Sequence, residues 1–311
     1  MPEPIALIAL ALDGALGWPR WLYRRVGHPV GGFARIIEWG ARRWNLPTRS
    51  PRQRRLGGIA TLLLVTGIAA AVALLLQWMA IELLGSHGWL VVAILAFPAI
   101  AQRSLLEHVR PVLAALESRN LGQARDAVAL IVGRDTEQLD APAVSRAAIE
   151  SLAESFCDGV IAPLFWLIVL GLPGVWAFKA ISTADSMIGH VEQPWRDFGW
   201  AAARADDFAN WLPARIAGAL ICLSGAGGWR TMARDHGEHA SPNAGWPEAA
   251  MAGALGVWLA GPVAYDGVCQ DKPVIGAGGK AGPGELRKAI GIYIKACALA
   301  WIIAGVLAWP V

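Results

Sequence analysis

Charge is what this chain has least of. Only 16% of its 311 residues are Asp, Glu, Lys or Arg, where soluble domains carry about 25%. With 55% hydrophobic residues and a mean hydropathy of +0.44, the composition excludes an ordinary soluble domain and fits a membrane protein. Cysteine is scarce as well. Cys157, Cys222, Cys269 and Cys297 form no CxxC pair and have no His at ligand spacing. That excludes a disulfide framework and a zinc site, and the four read as buried thiols. The GxGGK run at Gly276 to Lys280 lacks the spacing and the following Ser/Thr of a Walker A loop. No Ser/His/Asp or Cys/His arrangement can be argued from spacing. The apolar start lacks a basic leading region, so no cleavable signal peptide is expected.

What is present is unevenly spread. Sixteen Trp stand against three Tyr, which suits a protein rich in membrane interface, where indoles settle. The net charge is only +3, yet Arg20 to Arg55 holds ten Arg and one acid, Glu38. Placed between two apolar segments, this stretch reads as a cytoplasmic flank rather than a nucleic-acid arm.

Leu56 to Ile81 carries no charge and predicts a transmembrane helix. A turn at Gly85 to Gly88 and an uncharged return over Leu83 to Gln102 complete a hairpin with both basic flanks on one side. Asp13, inside the first apolar segment, either faces protein at membrane depth or sits at a solvated helix end. His28, in a Gly- and Pro-rich break, reads as structural. Residues 103–130 predict amphipathic helix. Asp158-Gly159 is expected to end a helix, and Val160 to Leu172 is too short to span unaided. Gly171 to Gly174 predicts a turn, followed by a polar segment through His190. Trp211 to Trp229 predicts a further span, an apolar helix follows from about Glu248, 265–284 reads as a loop, and Ala289 to Trp309 is the last apolar helix. The fold class is therefore all-α: a polytopic membrane bundle with broken or re-entrant helices and amphipathic cytoplasmic helices.

Ionisable groups concentrate between Gly133 and Arg215. Arg146, Glu150, Glu154 and Asp158 recur four apart, drifting about 40° per step on a helix, so they share one stripe. Stacked carboxylates repel unless a cation sits on them, which points to a divalent metal or to Arg146. A second acidic group, Asp206 and Asp207 with Asn210, offers hard oxygens for Mg²⁺; Asp207 and Asn210, three apart, share a helix face. Arg204 and Arg215 could grip phosphate oxygens, and Gly133-Arg134-Asp135-Thr136 reads as an anion-binding turn. The plainer reading of the second group is a helix start with acids in its first turn.

These residues carry a resemblance. GRDT at 133–136, RAAIESLAE at 146–154, DGVIAPLFW at 158–166, Lys179-Ala180 with Thr183 and DSMIG at 185–189, the run from Phe198 to Arg215, and RDH through HASPNAGWPEAAMAGALG at 234–256 resemble the CobD/CbiB family. Asp13, Gly17, Pro19 and His28-Pro29-Val30 fit as well. The resemblance covers most of the chain and implies one integral-membrane domain over 1–311 in the cytoplasmic (inner) membrane. It implies cobalamin biosynthesis: ATP- and Mg²⁺-dependent amide ligation of aminopropanol, usually as its O-phosphate, to the free propionate of adenosylcobyric acid, giving adenosylcobinamide phosphate. The implied partners are these two substrates, membrane lipid and other cobamide nucleotide-loop assembly enzymes, with no nucleic acid. Carried onto this sequence, the catalytic set is Glu150, Glu154, Asp158, Lys179 and Asp185. Substrate or phosphate contacts fall to Arg134, Asp135, Thr136, Arg146, Ser155, Ser182, Arg204, Arg215, His239 and Asn243. The metal set is Glu150, Glu154, Asp158, Asp206, Asp207 and Asn210. The chain departs from the family pattern at Ser155 and Ser182, where Asn is usual, and at Phe178 and Ala184. Two alternatives stand beside this reading: a non-catalytic membrane sensor on the same scaffold, and another Mg²⁺-dependent membrane transferase built on Asp206-Asp207-x-x-Asn210.

Overall fold

The computed structural model describes residues 4–265 and 268–308. Helices dominate. In chain order they begin with α1 (Ile5–Leu16), α2 (Arg20–Val26), α3 (Val30–Trp44), α4 (Pro51–Leu84) and α5 (Gly88–Ala96). Next come α6 (Gln102–Glu117), α7 (Leu121–Ala129), α8 (Ala141–Phe156), α9 (Ala162–Ile188), α10 (Trp195–Phe198) and α11 (Trp200–Ala209). The last are α12 (Trp211–Ser224), α13 (Trp229–Asp235), α14 (Gly245–Leu255) and α15 (Pro283–Ala308). Three helical stretches, Pro51–Glu117, Ala141–Ile188 and Pro283–Ala308, are long and apolar enough to cross a membrane. The protein is an all-α membrane bundle.

The chain forms two compact units. The first comprises Met1–Ala101, Ala162–Asn210 and Ala304–Val311. Its axis is α4, which starts with a capping box, Ser50 with Gln53. Small residues on α4 let its neighbours approach: Gly57 meets Trp44, and Gly58 meets the Phe198 backbone. Asp13 is 3% exposed, buried within protein rather than at a solvated helix end. The return limb of the hairpin is shorter than expected. α5 spans nine residues before Pro98 forces a 3₁₀ turn over Phe97–Ala99.

α9 also departs from the sequence reading. Asp158-Gly159 does not end the preceding helix; a π-helical turn, Cys157–Ile161, carries the chain onward. The polar segment through Ile188 is helical as well. The expected turn at Gly171 appears as a kink, with Gly171 at φ 67° and Pro173 two residues on. In hydrocarbon a broken helix must satisfy its freed backbone groups within the protein. Here the Gln77 side chain of α4 accepts from the Leu172 N–H at 3.0 Å, and the Trp176 indole donates to the Leu95 carbonyl at 3.1 Å.

The second unit comprises Gln102–Ile161 and Trp211–Ile303. Its core centres on Tyr293, whose ring meets Phe156 edge-on and whose hydroxyl donates to the Gln102 carbonyl at 2.8 Å. Two expectations fail here. Trp211 to Trp229 is not one continuous helix: α12 covers 14 residues and ends at Ser224, shorter than the about 20 residues of a typical span. The stretch 265–284 is not simply a loop: β1 (Trp258–Ala260) pairs antiparallel with β4 (Val274–Gly276), and β2 (Val263–Tyr265) with β3 (Val268–Gln270). Each strand is only three residues long, and Gly256, Gly261, Gly276 and Gly278 take positive φ around them. Cys157, Cys222 and Cys297 are buried thiols as expected; the Cys269 side chain lies outside the described residues.

Candidate functional site

α8 positions the first group. Asp140 caps it, accepting from the Ala143 N–H at 2.8 Å, and a Pro in the first turn fixes its entry. From there Arg146, Glu150 and Glu154 run down one side, as the spacing required. Asp158 falls in the π turn that follows, beyond the end of α8.

Glu150 is 4% exposed and fully engaged. Its Oε2 accepts from Arg134, its Oε1 accepts from the Ala260 N–H at 2.6 Å, and Arg146 Nε lies 3.7 Å from Oε1. Arg146 also covers the Trp258 ring at 4.6 Å. Ala260 holds a positive φ of 57°, which turns its N–H toward the carboxylate. This buried network leaves little of Glu150 for a metal.

Glu154, one turn on, faces a cavity of about 500 Å³ within the second unit. Arg134, Glu150 and His239 line it, together with four polar residues that the sequence did not single out: Ser151, Glu238, Glu248 and Lys272. His239 Nδ1 accepts from the Ser241 N–H at 2.9 Å. The proton of a neutral ring is then on Nε2, 3.6 Å from Glu248 Oε1. Burial, and then the Lys272 charge, lower the His239 pKa. Glu248 is 3% exposed in the first turn of α14. Burial, and then Glu154 and Glu150, raise its pKa well above the usual carboxylate range. The cavity thus sets a neutral His and a proton-holding Glu beside two cations, Arg134 and Lys272. Glu248 had a signal, an acid within an apolar helical run. Lys272 had none, because the ribbons that carry it were invisible in the sequence.

The first unit holds the second group. Asp206 Oδ2 accepts from Asn210 Nδ2 at 2.9 Å, while Asp206 Oδ1 is buried without a hydrogen-bond partner. Burial, and then the Asp185 charge, push the Asp206 pKa up to about 7, and Lys179 acts in the opposite direction. By spacing, Asn210 shares a helix face with Asp207. Asn210 caps α11 and reaches Asp206 one turn back, while Asp207 pairs with Arg204 at 3.2 Å. Burial still raises the Asp207 pKa. His28 accepts from the Val30 N–H at 3.3 Å and packs edge-on against Trp18.

The remaining candidates lie elsewhere. Arg215 is stacked between Trp211 and Trp246, with centroids at 4.2 and 4.6 Å, and donates to the Trp211 carbonyl. Asn243 is buried, and its backbone N–H donates to Ser241 Oγ. Asp135, Thr136, Ser155 and Asp158 are not among the residues lining the 500 Å³ cavity. Ser182 accepts from Ser186 Oγ through its backbone carbonyl within α9. Among the described residues, no three His, Cys, Asp or Glu side chains gather as a metal cage.

Comparison with known proteins follows the same residues. The family model described as CobD/Cbib protein matches residues 6–293. A protein of Rhodobacter capsulatus named Cobalamin biosynthesis protein CobD is 46% identical, with 98% of each chain covered. Proteins of the same name from a Sinorhizobium species and from Rhizobium meliloti (strain 1021) are 47% and 44% identical. Those matches cover 96% of each chain for the first, and 95% of this chain and 93% of the relative for the second. No solved structure matches.

Proposed function

Because the chain belongs to the CobD/CbiB family and so serves cobalamin biosynthesis, we propose that it is the ATP-dependent ligase joining aminopropanol O-phosphate to adenosylcobyric acid in the cytoplasmic membrane. The observation that carries this reading is the cavity of the second unit, where Arg134 and Lys272 stand beside Glu154, Glu248 and His239. An amide ligase must bind phosphate-bearing substrates, activate a carboxylate and take a proton from an ammonium. This cavity supplies each kind of group.

In this reading Lys272 and Arg134 hold phosphate oxygens through charge-assisted hydrogen bonds. A propionate oxygen takes the γ-phosphoryl group of ATP, the bond from that phosphorus to the bridging oxygen breaks, and ADP leaves an acyl phosphate behind. The ammonium gives one proton to Glu154, its nitrogen attacks the acyl carbon, the carbon–oxygen bond to phosphate breaks, and the second proton leaves with the phosphate. Glu248, held protonated beside His239, keeps its wall of the cavity from adding another negative charge. Mg²⁺ fits the first unit better than the α8 stripe, because Asp206 Oδ1 is buried without a partner and faces the Asp185 charge. Asp206 and Asp185 would hold it; two carboxylates are the usual protein share for a Mg²⁺ that is otherwise bound to phosphates and water. When bound, it would compensate the charge of these two carboxylates.

The test is amide formation by the purified chain with adenosylcobyric acid, ATP, Mg²⁺ and aminopropanol phosphate. Wild type should form amide, and Glu154→Gln should abolish turnover while retaining helical content and melting temperature. A fully active Glu154→Gln would remove the carboxylate from the mechanism. Corrinoid binding without any amide formation by wild type would point to a non-catalytic paralogue.

A further inference from the structure

The first unit contains a second polar cavity, of about 680 Å³, that takes no part in the chemistry above. Four guanidinium groups line it, from Arg54, Arg55, Arg196 and Arg204, against one carboxylate, Asp197. Arg54 is the fixed wall. Its Nη2 pairs with Asp197 Oδ2 at 3.2 Å and its Nη1 donates to Gln193 Oε1 at 3.2 Å, yet its Nε is buried without a partner. Arg55 lies over the Trp200 ring at 4.7 Å. Arg204 is partly neutralised by Asp207, so Asp197 is left to offset the other three. A cavity with this excess of positive charge, one donor unmet and several planar guanidiniums is built for a phosphate group.

Its position says which phosphate. The charge-free run of α4 begins at Leu56, directly after Arg54 and Arg55. Leu56 and Leu63 are 65% and 67% exposed, an apolar track leading from the cavity along the membrane helix. Trp200, 41% exposed at the rim, is the residue that favours the headgroup level. We propose that this cavity binds the phosphate of an anionic membrane phospholipid, whose acyl chains follow the exposed face of α4. Basic side chains at the end of a membrane helix attract such headgroups. The guanidiniums would also accept a free phosphate, and the experiment separates the two sources.

Native mass spectrometry of the full chain in neutral detergent, with phosphatidylglycerol and phosphatidylcholine supplied in equal amounts, reads this directly. Wild type should retain phosphatidylglycerol preferentially. R55Q/R196Q should bind it roughly tenfold more weakly, and R55K/R196K should recover part of the preference. Arg55 and Arg196 are exposed, so these variants should fold, and unchanged circular dichroism confirms it; R196Q alone gives the same direction with a smaller effect. Binding of millimolar inorganic phosphate that is lost in R55Q/R196Q, with no preference between the two lipids in wild type, would keep the phosphate site but overturn the lipid as its ligand. Equal retention of both lipids by wild type and R55Q/R196Q, without phosphate binding, would overturn the site.

Discussion

At the scale of single residues, the two acidic groups behave differently because their partners differ. Glu150 is held by Arg134, Arg146 and a backbone N–H. Asp206 has one satisfied oxygen and one orphan. Its pKa of about 7 against an ordinary 3.8 gives a signed expectation. A carboxyl raised on folding binds more protons in the native state, so its contribution to stability is complete below about pH 3.8 and is lost as pH rises toward 7. Melting temperatures in Mg²⁺-free detergent buffer should therefore fall across that window. Asp206→Asn should flatten the slope and melt higher than wild type at pH 7. An unchanged slope in Asp206→Asn would assign the dependence to other groups.

Elements carry a different kind of information. The kink in α9 survives in an apolar setting because Gln77 of α4 caps the freed Leu172 N–H, and because Gly171 accepts a φ of 67° that a Cβ would strain. A buried donor stripped of its acceptor costs about 1–3 kcal/mol. Gln77→Leu, which keeps the apolar character of α4, should lower stability by about that amount in denaturant titration, whereas Gln77→Glu should retain the acceptor. Equal stability of Gln77→Leu and wild type would show that the Leu172 N–H finds another partner.

For the whole molecule, the arginine distribution sets an orientation that labelling can check. The flank preceding α4 and the turn at Gly133 to Thr136 are both expected on the cytoplasmic side. In a background where the native cysteines are replaced, single cysteines at Arg52 and at Asp135 should resist a membrane-impermeant maleimide in intact cells and react once the membrane is opened. Reaction at either position in intact cells would reverse the topology.

Composition, the uncharged run from Leu56 and the family-bearing motifs determined by themselves that this is an all-α membrane protein of cobalamin biosynthesis. These features are local or cumulative, and membrane insertion depends on apolar length and flanking charge rather than on partners. The stripe from Arg146 to Glu154 was legible too, because four-residue spacing fixes a helix face wherever the helix goes. Tertiary structure decided the rest. A π turn took up Asp158, Asn210 closed on Asp206, and two short ribbons brought Lys272 and the Ala260 N–H to a cavity whose other wall holds Glu248. Such meetings depend on contacts between residues more than a hundred positions apart, as Ala260 and Glu150 are. No periodicity records them, since the free energy that selects them comes from burying and pairing charges once the chain has folded.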